Sequence, residues 1–181
     1  SIEVITSEFG LDITSKADNK LFTYVPEYGL YRFENHELIA LPYAKQLSNK
    51  EVSSIINYGD NELLITTYRN GIYKANNSEL APWQPSLNPL FSESFINAAI
   101  LLSNGNIALG TQHKGIFIIS PDGEIILQMD KDSGLLSRTV LSLFEDQNQN
   151  LWVGQNNGIS FIQLKSPFKV INEEQNLPGT G

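Results

Sequence analysis

One spacing recurs along the chain and strongly limits the folds available to it. In each of four segments, a short apolar run is followed by a polar loop, a glycine and a second apolar run. The glycines, at Gly29, Gly71, Gly115 and Gly158, lie 42, 44 and 43 residues apart. Unrelated loops do not keep such a constant spacing, so the chain contains an internal repeat with a period of about 43 residues.

Each repeat contains segments with the composition of short β-strands. In the fourth repeat the predicted strands are 139–145, 151–154, 159–164 and 168–171, separated by clusters of Asn, Asp, Gly or Pro. The predicted strands are 52–56, 63–67, 72–75 and 80–83 in the second repeat, and 95–102, 107–111, 116–120 and 125–129 in the third. In the first repeat, residues 9–14 are expected to form the first strand. No segment has a sustained apolar period of 3.6 residues, so no helix is predicted.

This pattern of strands is typical of a β-propeller, whose blades repeat every ~40–50 residues. A β-sandwich would not keep the register, and a leucine-rich repeat would have a period of about 20–29 residues. We therefore predict an all-β fold, a β-propeller with four blades of four antiparallel strands each. The predicted blades are approximately 6–41, 49–84, 93–130 and 136–172, and residues 173–181 are expected to begin a further blade.

The composition supports a packed domain and excludes several partners. Of the 181 residues, 41% are hydrophobic, which is enough for a core. The net charge of −8 argues against nucleic acid and anionic lipid, which bind positive surfaces. The absence of cysteine excludes disulfides and thiolate metal sites. No apolar run approaches the roughly 18–20 residues of a membrane helix, so no direct membrane insertion of this segment is expected.

The fourth repeat resembles the two-component regulator propeller repeat. The resemblance covers about 25 residues and rests on an ordered set of short motifs, with Gln155 where the family usually has threonine. The motifs are Gly134-Leu135, Val140-Leu141-Ser142, Glu145-Asp146, Leu151-Trp152-Val153-Gly154 and Gly158-Ile159. The second and third repeats keep only the skeleton of this pattern, and the first keeps little more than the Gly29-Leu30 step.

The resemblance implies a sensor. Such repeats form the extracytoplasmic part of bacterial hybrid two-component systems, which respond to glycans or their breakdown products. Their propellers typically have about seven blades, so this chain is expected to be a fragment of a larger propeller. The expected partners are an oligosaccharide ligand, the remaining blades and membrane-linked signalling domains, and the expected localisation is periplasmic. The chain itself has no kinase or receiver pattern.

Three function classes remain open at this point. The first is a non-enzymatic sensing module, which needs no cofactor. The second is a propeller scaffold for protein–protein contact or dimerisation, including a homodimer. The third is a propeller-fold lyase or glycosidase, which would need convergent carboxylates or a metal-binding histidine set. The sequence offers neither clearly, because His36 and His113 lie in different repeats without a second ligand at metal-binding spacing.

The loops between the second and third strands of each repeat are the expected recognition site. Variable loops on a repeated scaffold commonly carry binding residues. Aromatic and imidazole rings can stack on a sugar, and amide or cationic groups can bind its hydroxyls. The candidate ligand-binding residues are Tyr28, Tyr68, Arg69, His113, Lys114, Gln155, Asn156 and Asn157.

Other conspicuous residues have structural interpretations. Trp152 lies within an apolar strand, so we expect it to pack between blades. Glu145 and Asp146 flank a turn, so we expect them to accept backbone N–H groups and not to act as an acid–base pair. Trp83 lies between two prolines and is a second, exposed aromatic candidate.

Overall fold

The structure is a computed structural model that describes residues 13–17, 20–59, 61–165 and 169–171. Its strands form four antiparallel sheets of four strands each, and consecutive strands pair within every sheet. The predicted four blades of four antiparallel strands are therefore confirmed. The chain divides into two compact units, Ser1–Asn88 and Pro89–Gly181, and each contains two blades.

The first unit contains blades 1 and 2. Blade 1 consists of β1 (Ile13–Ala17), β2 (Lys20–Val25), β3 (Gly29–Glu34) and β4 (Glu37–Ala40). Blade 2 consists of β5 (Val52–Asn57), β6 (Leu63–Thr67), β7 (Ile72–Ala75) and β8 (Leu80–Trp83). The short helix α1 (Ala44–Leu47) connects the two blades, and a 3-10 turn (Pro85–Leu87) follows β8.

The second unit contains blades 3 and 4. Blade 3 consists of β9 (Ile96–Leu101), β10 (Ile107–Thr111), β11 (Ile116–Ile119) and β12 (Ile125–Met129). Blade 4 consists of β13 (Val140–Glu145), β14 (Asn150–Gln155), β15 (Gly158–Gln163) and β16 (Lys169–Ile171). Helix α2 (Asn88–Ser94) leads into blade 3, and a 3-10 turn (Lys131–Ser133) follows β12.

The core of each unit lies between its two sheets. In the first unit, Phe22 and Tyr24 of blade 1 share a cluster with Leu63 and Ile65 of blade 2. The second unit repeats this arrangement with Ala108 and Ile118 of blade 3 against the apolar side chains of blade 4. Every residue of β6 and β10 is buried. A strand that is covered on both faces needs apolar residues at successive positions. This explains why these two segments do not alternate between apolar and polar residues.

Two predictions need correction. The described residues contain two α-helices of four and seven residues, where no helix was predicted. Segments this short complete one or two turns, too few to show an apolar period. The described first strand of blade 1 is Ile13–Ala17, so it extends three residues beyond the predicted end at Thr14. Residues 9–12 and the predicted further blade at 173–181 lie outside the described residues.

Candidate functional site

The loops between the second and third strands of blades 2 and 3 are built on a threonine frame. The Thr67 hydroxyl donates to the Gly71 carbonyl oxygen at 2.7 Å and accepts from the Asn70 N–H at 3.0 Å. Thr111 makes the equivalent two bonds in blade 3, at 2.8 and 3.0 Å. The side chains within these loops are therefore presented from a fixed turn.

The same loops pack against the segment that enters each blade. The Tyr68 N–H donates to the Glu51 carbonyl oxygen at 2.8 Å, and the Gln112 N–H donates to the Phe95 carbonyl oxygen at 2.8 Å. Glu51 and Phe95 have φ values of 45° and 56°, which are uncommon for residues other than glycine. Each loop and its entering segment thus lie together at one end of the sheet.

Tyr28 is the candidate residue that borders a cavity in the first unit. The cavity has a volume of about 300 Å³. Its lining combines two phenol rings with one acidic and one basic side chain, and 42% of the Tyr28 surface is exposed. The lining residues are Glu27, Tyr28, Tyr31, Ala40, Leu41, Pro42, Ala44 and Lys45. The cavity therefore offers both stacking surfaces and hydrogen-bonding groups.

Tyr68 and Arg69 lie together on the loop of blade 2. The guanidinium carbon of Arg69 lies 5.4 Å from the centroid of the Tyr68 ring, within the range of a cation–π interaction. Arg69 is exposed and Tyr68 is half-buried. The pair therefore places an aromatic ring beside a guanidinium group at this loop.

His113 and Lys114 each have a partner within the second unit. The His113 ring packs on the Phe95 ring, with their centroids 5.1 Å apart. The Lys114 ammonium forms an ion pair with Glu93 of α2 at 3.2 Å. His113 is exposed and Lys114 is half-buried. His113 is therefore the more accessible of the two for a ligand.

The three candidates in blade 4 have different environments. The Gln155 side chain is buried, donates from Nε2 to the Ser137 carbonyl oxygen and accepts from the Ser160 hydroxyl at 2.7 Å. Gln155 occupies the position that Thr67 and Thr111 take in blades 2 and 3. The loop between the second and third strands is one residue shorter in blade 4. The Asn157 amide donates to the Leu136 carbonyl oxygen at 3.2 Å. Asn156 and Asn157 are both exposed, whereas Gln155 is buried.

Both tryptophans lie where the sequence did not predict them. Trp152 is 41% exposed and packs edge-on against Phe161, with ring centroids 4.9 Å apart, so the expectation of a core position is wrong for this chain. Trp83 is only 6% exposed and packs against Tyr58, so it is not an exposed aromatic site. Trp83 ends the edge strand β8, and an edge strand accommodates Pro82.

Glu145 and Asp146 are structural, as predicted. Glu145 accepts the Ser103 N–H at 2.7 Å and the Ser103 hydroxyl at 2.9 Å. Asp146 accepts the backbone N–H groups of Asn148 and Asn150, both at 2.9 Å, and the Trp152 indole N–H at 3.0 Å. These bonds, with the backbone N–H of Asn150 contributing most, lower the pKa of Asp146 to about 2.

The low pKa of Asp146 predicts a pH-dependent signal at Trp152. The carboxylate stabilises the turn above the unfolded pKa of about 3.9, and this contribution is lost as the pH falls through the folded value of about 2. We expect the Trp152 indole proton resonance to shift with a midpoint near pH 2. The Trp83 indole is an internal reference. Loss of the transition in Asp146→Asn would support the assignment, and its persistence would contradict it.

Metal-binding clusters and buried titratable groups are the other features that could support chemistry in the described residues. No group of three or more His, Asp or Glu side chains among the described residues is arranged to hold a metal ion. Burial raises the pKa of Tyr43 to about 12, so its phenol stays neutral at physiological pH. Within the described part of the chain, no helix is long and apolar enough to cross a membrane.

Solved structures share this fold. The chain is similar to the extracellular domain of the hybrid two component system BT3049 from B. thetaiotaomicron (14% identity, TM-score 0.75), with 99% of this chain and 25% of that domain covered. It is also similar to the extracellular domain of BT4673 from B. thetaiotaomicron (22% identity, TM-score 0.65, coverage 92% and 23%). The chain therefore spans about a quarter of the length of these domains.

The fold alone does not select one function. Virginiamycin B lyase from Staphylococcus aureus is also similar, at 13% identity and a TM-score of 0.62, with 93% of this chain and 57% of the lyase covered. No curated protein sequence matches the chain significantly. Residues 134–157 match the family model described as two component regulator propeller, which confirms the resemblance. The chain is thus a β-propeller segment that carries a two component regulator propeller repeat at residues 134–157.

Proposed function

We propose that this chain is a ligand-sensing module in the periplasmic part of a bacterial two-component receptor, and that its ligand is a glycan or a glycan breakdown product. The two component regulator propeller match at residues 134–157 is the observation that carries the sensor assignment. The similarity to extracellular domains of hybrid two component systems supports it. The partners in this proposal are the remaining blades and the membrane-linked signalling domains of the receptor.

The cavity beside Tyr28 supports a small saccharide as the ligand. Its volume of about 300 Å³ lies at the lower end of the range for small-molecule sites. The rings of Tyr28 and Tyr31 can stack on the apolar face of a sugar, and Glu27 and Lys45 can bind its hydroxyls. A monosaccharide or disaccharide fits this size better than a long chain does.

Two other functions have less support. A glycosidase would need a pair of carboxyl groups free to exchange protons with the substrate. Glu145 and Asp146, the adjacent pair in blade 4, instead hold turns together. A scaffold function would use exposed apolar surface, which blade 4 has. The two component regulator propeller match favours the sensor over the scaffold.

Isothermal titration calorimetry of the intact protein with a panel of mono- and disaccharides tests the proposal. We expect one saccharide class to bind and Tyr28→Ala to weaken it at least tenfold, equivalent to about 1.4 kcal/mol. Tyr68→Ala is the matched control, because Tyr68 lies on the same loop of the neighbouring blade. If only Tyr68→Ala weakens binding, the site lies on the blade 2 loop. If no saccharide binds, the glycan proposal fails and the scaffold function is favoured.

A further inference from the structure

Three asparagines in the chain are followed directly by glycine, at positions 70–71, 104–105 and 157–158. In such a pair the glycine nitrogen can attack the side-chain carbonyl carbon of the asparagine, because glycine has no Cβ atom to hinder the approach. In a folded protein the reaction is slowed wherever hydrogen bonds already hold the two reacting groups. The three pairs differ in this respect.

At Asn104 both reacting groups are held. The Asn104 side-chain oxygen accepts the Asn106 N–H at 3.0 Å. The Gly105 N–H donates to the Leu102 carbonyl oxygen at 2.9 Å. Attack by the Gly105 nitrogen would break the second of these bonds and distort the first, so this turn protects its asparagine.

At Asn157 the side chain and the following glycine are also held. The Asn157 amide nitrogen donates to the Leu136 carbonyl oxygen at 3.2 Å. Gly158 is the first residue of β15, and it pairs with Gln155 across the hairpin. The amide that would leave as ammonia is therefore bonded, and the attacking nitrogen belongs to a residue of the sheet.

Asn70 differs from both, because it is exposed and its reacting groups are not held. Among the described residues, no hydrogen bond engages the Asn70 side-chain amide or the Gly71 N–H. The equivalent glycine of blade 3, Gly115, instead donates its N–H to the Arg138 carbonyl oxygen at 2.8 Å. Both loops are built on the threonine frame, so this frame does not by itself decide whether the glycine N–H is bonded.

We propose that Asn70 is a self-modification site, at which the Gly71 nitrogen attacks the Asn70 side-chain carbonyl carbon. The new N–Cγ bond closes a succinimide ring. The Cγ–Nδ2 bond breaks, and ammonia leaves with the proton of the Gly71 N–H. Water then opens the ring at either carbonyl and gives aspartate or isoaspartate at position 70. The inference does not depend on the identity of any ligand, so it stands apart from the proposed sensing function.

Isoaspartate at position 70 disrupts the threonine frame of this loop. The Thr67 hydroxyl binds both the Asn70 N–H and the Gly71 carbonyl oxygen. In isoaspartate the backbone runs through the former side chain, which inserts one additional methylene between these two groups. The hydroxyl must then release one of its two bonds, or the turn must change shape.

Either product also changes the charge of the blade 2 loop. A neutral amide becomes a carboxylate on the residue next to Arg69, whose guanidinium lies over the Tyr68 ring. Opposite charges on neighbouring residues attract, so the carboxylate competes with the ring for the guanidinium. The modification therefore alters the surroundings of the two candidate recognition residues of this loop.

Incubation of the intact protein at physiological temperature tests the proposal, with peptide mass spectrometry that resolves asparagine, aspartate and isoaspartate. Asn104 and Asn157 are internal controls in the same sample. Each hydrogen bond that must break slows the attack by a factor of roughly 2–12, so we expect position 70 to convert at least about fivefold faster than either control. We expect both products at position 70, because water can open the ring on two sides.

Variants at position 70 separate the chemical step from its consequences. Asn70→Gln should stop the conversion, because the longer side chain disfavours closure of a five-membered ring. Asn70→Asp introduces the charge without the additional methylene, so it should unfold at the temperature of the unmodified protein. The isoaspartate form should unfold at a lower temperature. Gly71→Ala is unsuitable as a control, because a Cβ atom there would overlap the Asn88 side chain.

Four results would count against the proposal. Equal conversion at the three asparagines would overturn it, and so would conversion of position 70 only after unfolding in urea. Formation of aspartate alone would indicate direct hydrolysis without a succinimide. Equal unfolding temperatures for Asn70→Asp and the isoaspartate form would contradict the loss of the threonine frame.

Discussion

Replacing Gly115 with alanine is expected to lower the free energy of unfolding by about 4 kcal/mol or more, or to prevent folding of the second unit. Gly115 has a φ of +71°, and a Cβ atom there would overlap the carbonyl oxygen of Met129 and approach the Asp130 Cα to 2.8 Å. These are backbone atoms at the end of β12, so they cannot rotate away as a side chain would. Urea denaturation followed by circular dichroism measures the loss.

Gly105→Ala separates the overlap from the backbone strain. Gly105 also has a positive φ, +85°, but a Cβ atom there would have no neighbour within 4 Å. Alanine at this turn therefore incurs only the conformational cost, about 1–2 kcal/mol. Equal losses at the two glycines would contradict the assignment of a close approach between the blade 3 loop and β12. A large difference would explain why the repeat places glycine at this position.

Replacing Phe117 with alanine is expected to cost about 3–5 kcal/mol, because it empties a large buried site. Phe117 is 0% exposed and packs edge-on against Phe91 of α2, with ring centroids 6.0 Å apart. This contact holds α2, the helix that leads into blade 3, against the sheet. The measurement is again the midpoint and slope of urea denaturation.

Phe144→Ala is the matched control for this prediction. The same atoms are removed, but Phe144 is 64% exposed, so residues 1–181 should lose less than about 1 kcal/mol. A large loss at this position would mean that the face of blade 4 that carries Phe144 and Trp152 is covered in the isolated chain. A small loss at Phe117 would contradict its role in holding α2.

The sequence predicted most strand limits well, for a definite reason. Predicted strands at 63–67, 72–75, 107–111 and 125–129 coincide with β6, β7, β10 and β12. Each of these runs is rich in apolar or β-branched residues, and a glycine, asparagine or aspartate lies within four residues of both of its ends. In such short hairpins the turn residues fix the strand ends locally, so little tertiary information is needed.

Exposure of the aromatic residues was harder to predict. Trp152 lies in an apolar strand, as Leu64 does in blade 2, yet Trp152 is 41% exposed and Leu64 is 0% exposed. Trp83 lies next to Pro82, which suggested a loop, but prolines are compatible with the edge strand β8. In both cases the local sequence is the same whether the side chain is buried or exposed.

The candidate site was only partly accessible to sequence reasoning. Tyr28 was found because it lies in a loop between strands, and the structure places it beside a cavity. Tyr31 and Lys45, which line the same cavity, lie on β3 and α1 and carry no signal in the loop pattern. Gln155 illustrates the opposite case, because its amide is used within blade 4. The sequence signal for this different role was that Gln155 stands where blades 2 and 3 have threonine.

The pairing of consecutive strands has a consequence for how the chain is made. A ribosome adds about 5–20 residues per second, so one 43-residue blade takes roughly 2–9 seconds to synthesise. Hairpins form in about 1–10 microseconds, so each sheet can assemble long before the next one exists. Until then, a nascent blade keeps an apolar face like that of Phe144 and Trp152 uncovered. Those seconds of translation are when the protein most needs protection from incorrect association.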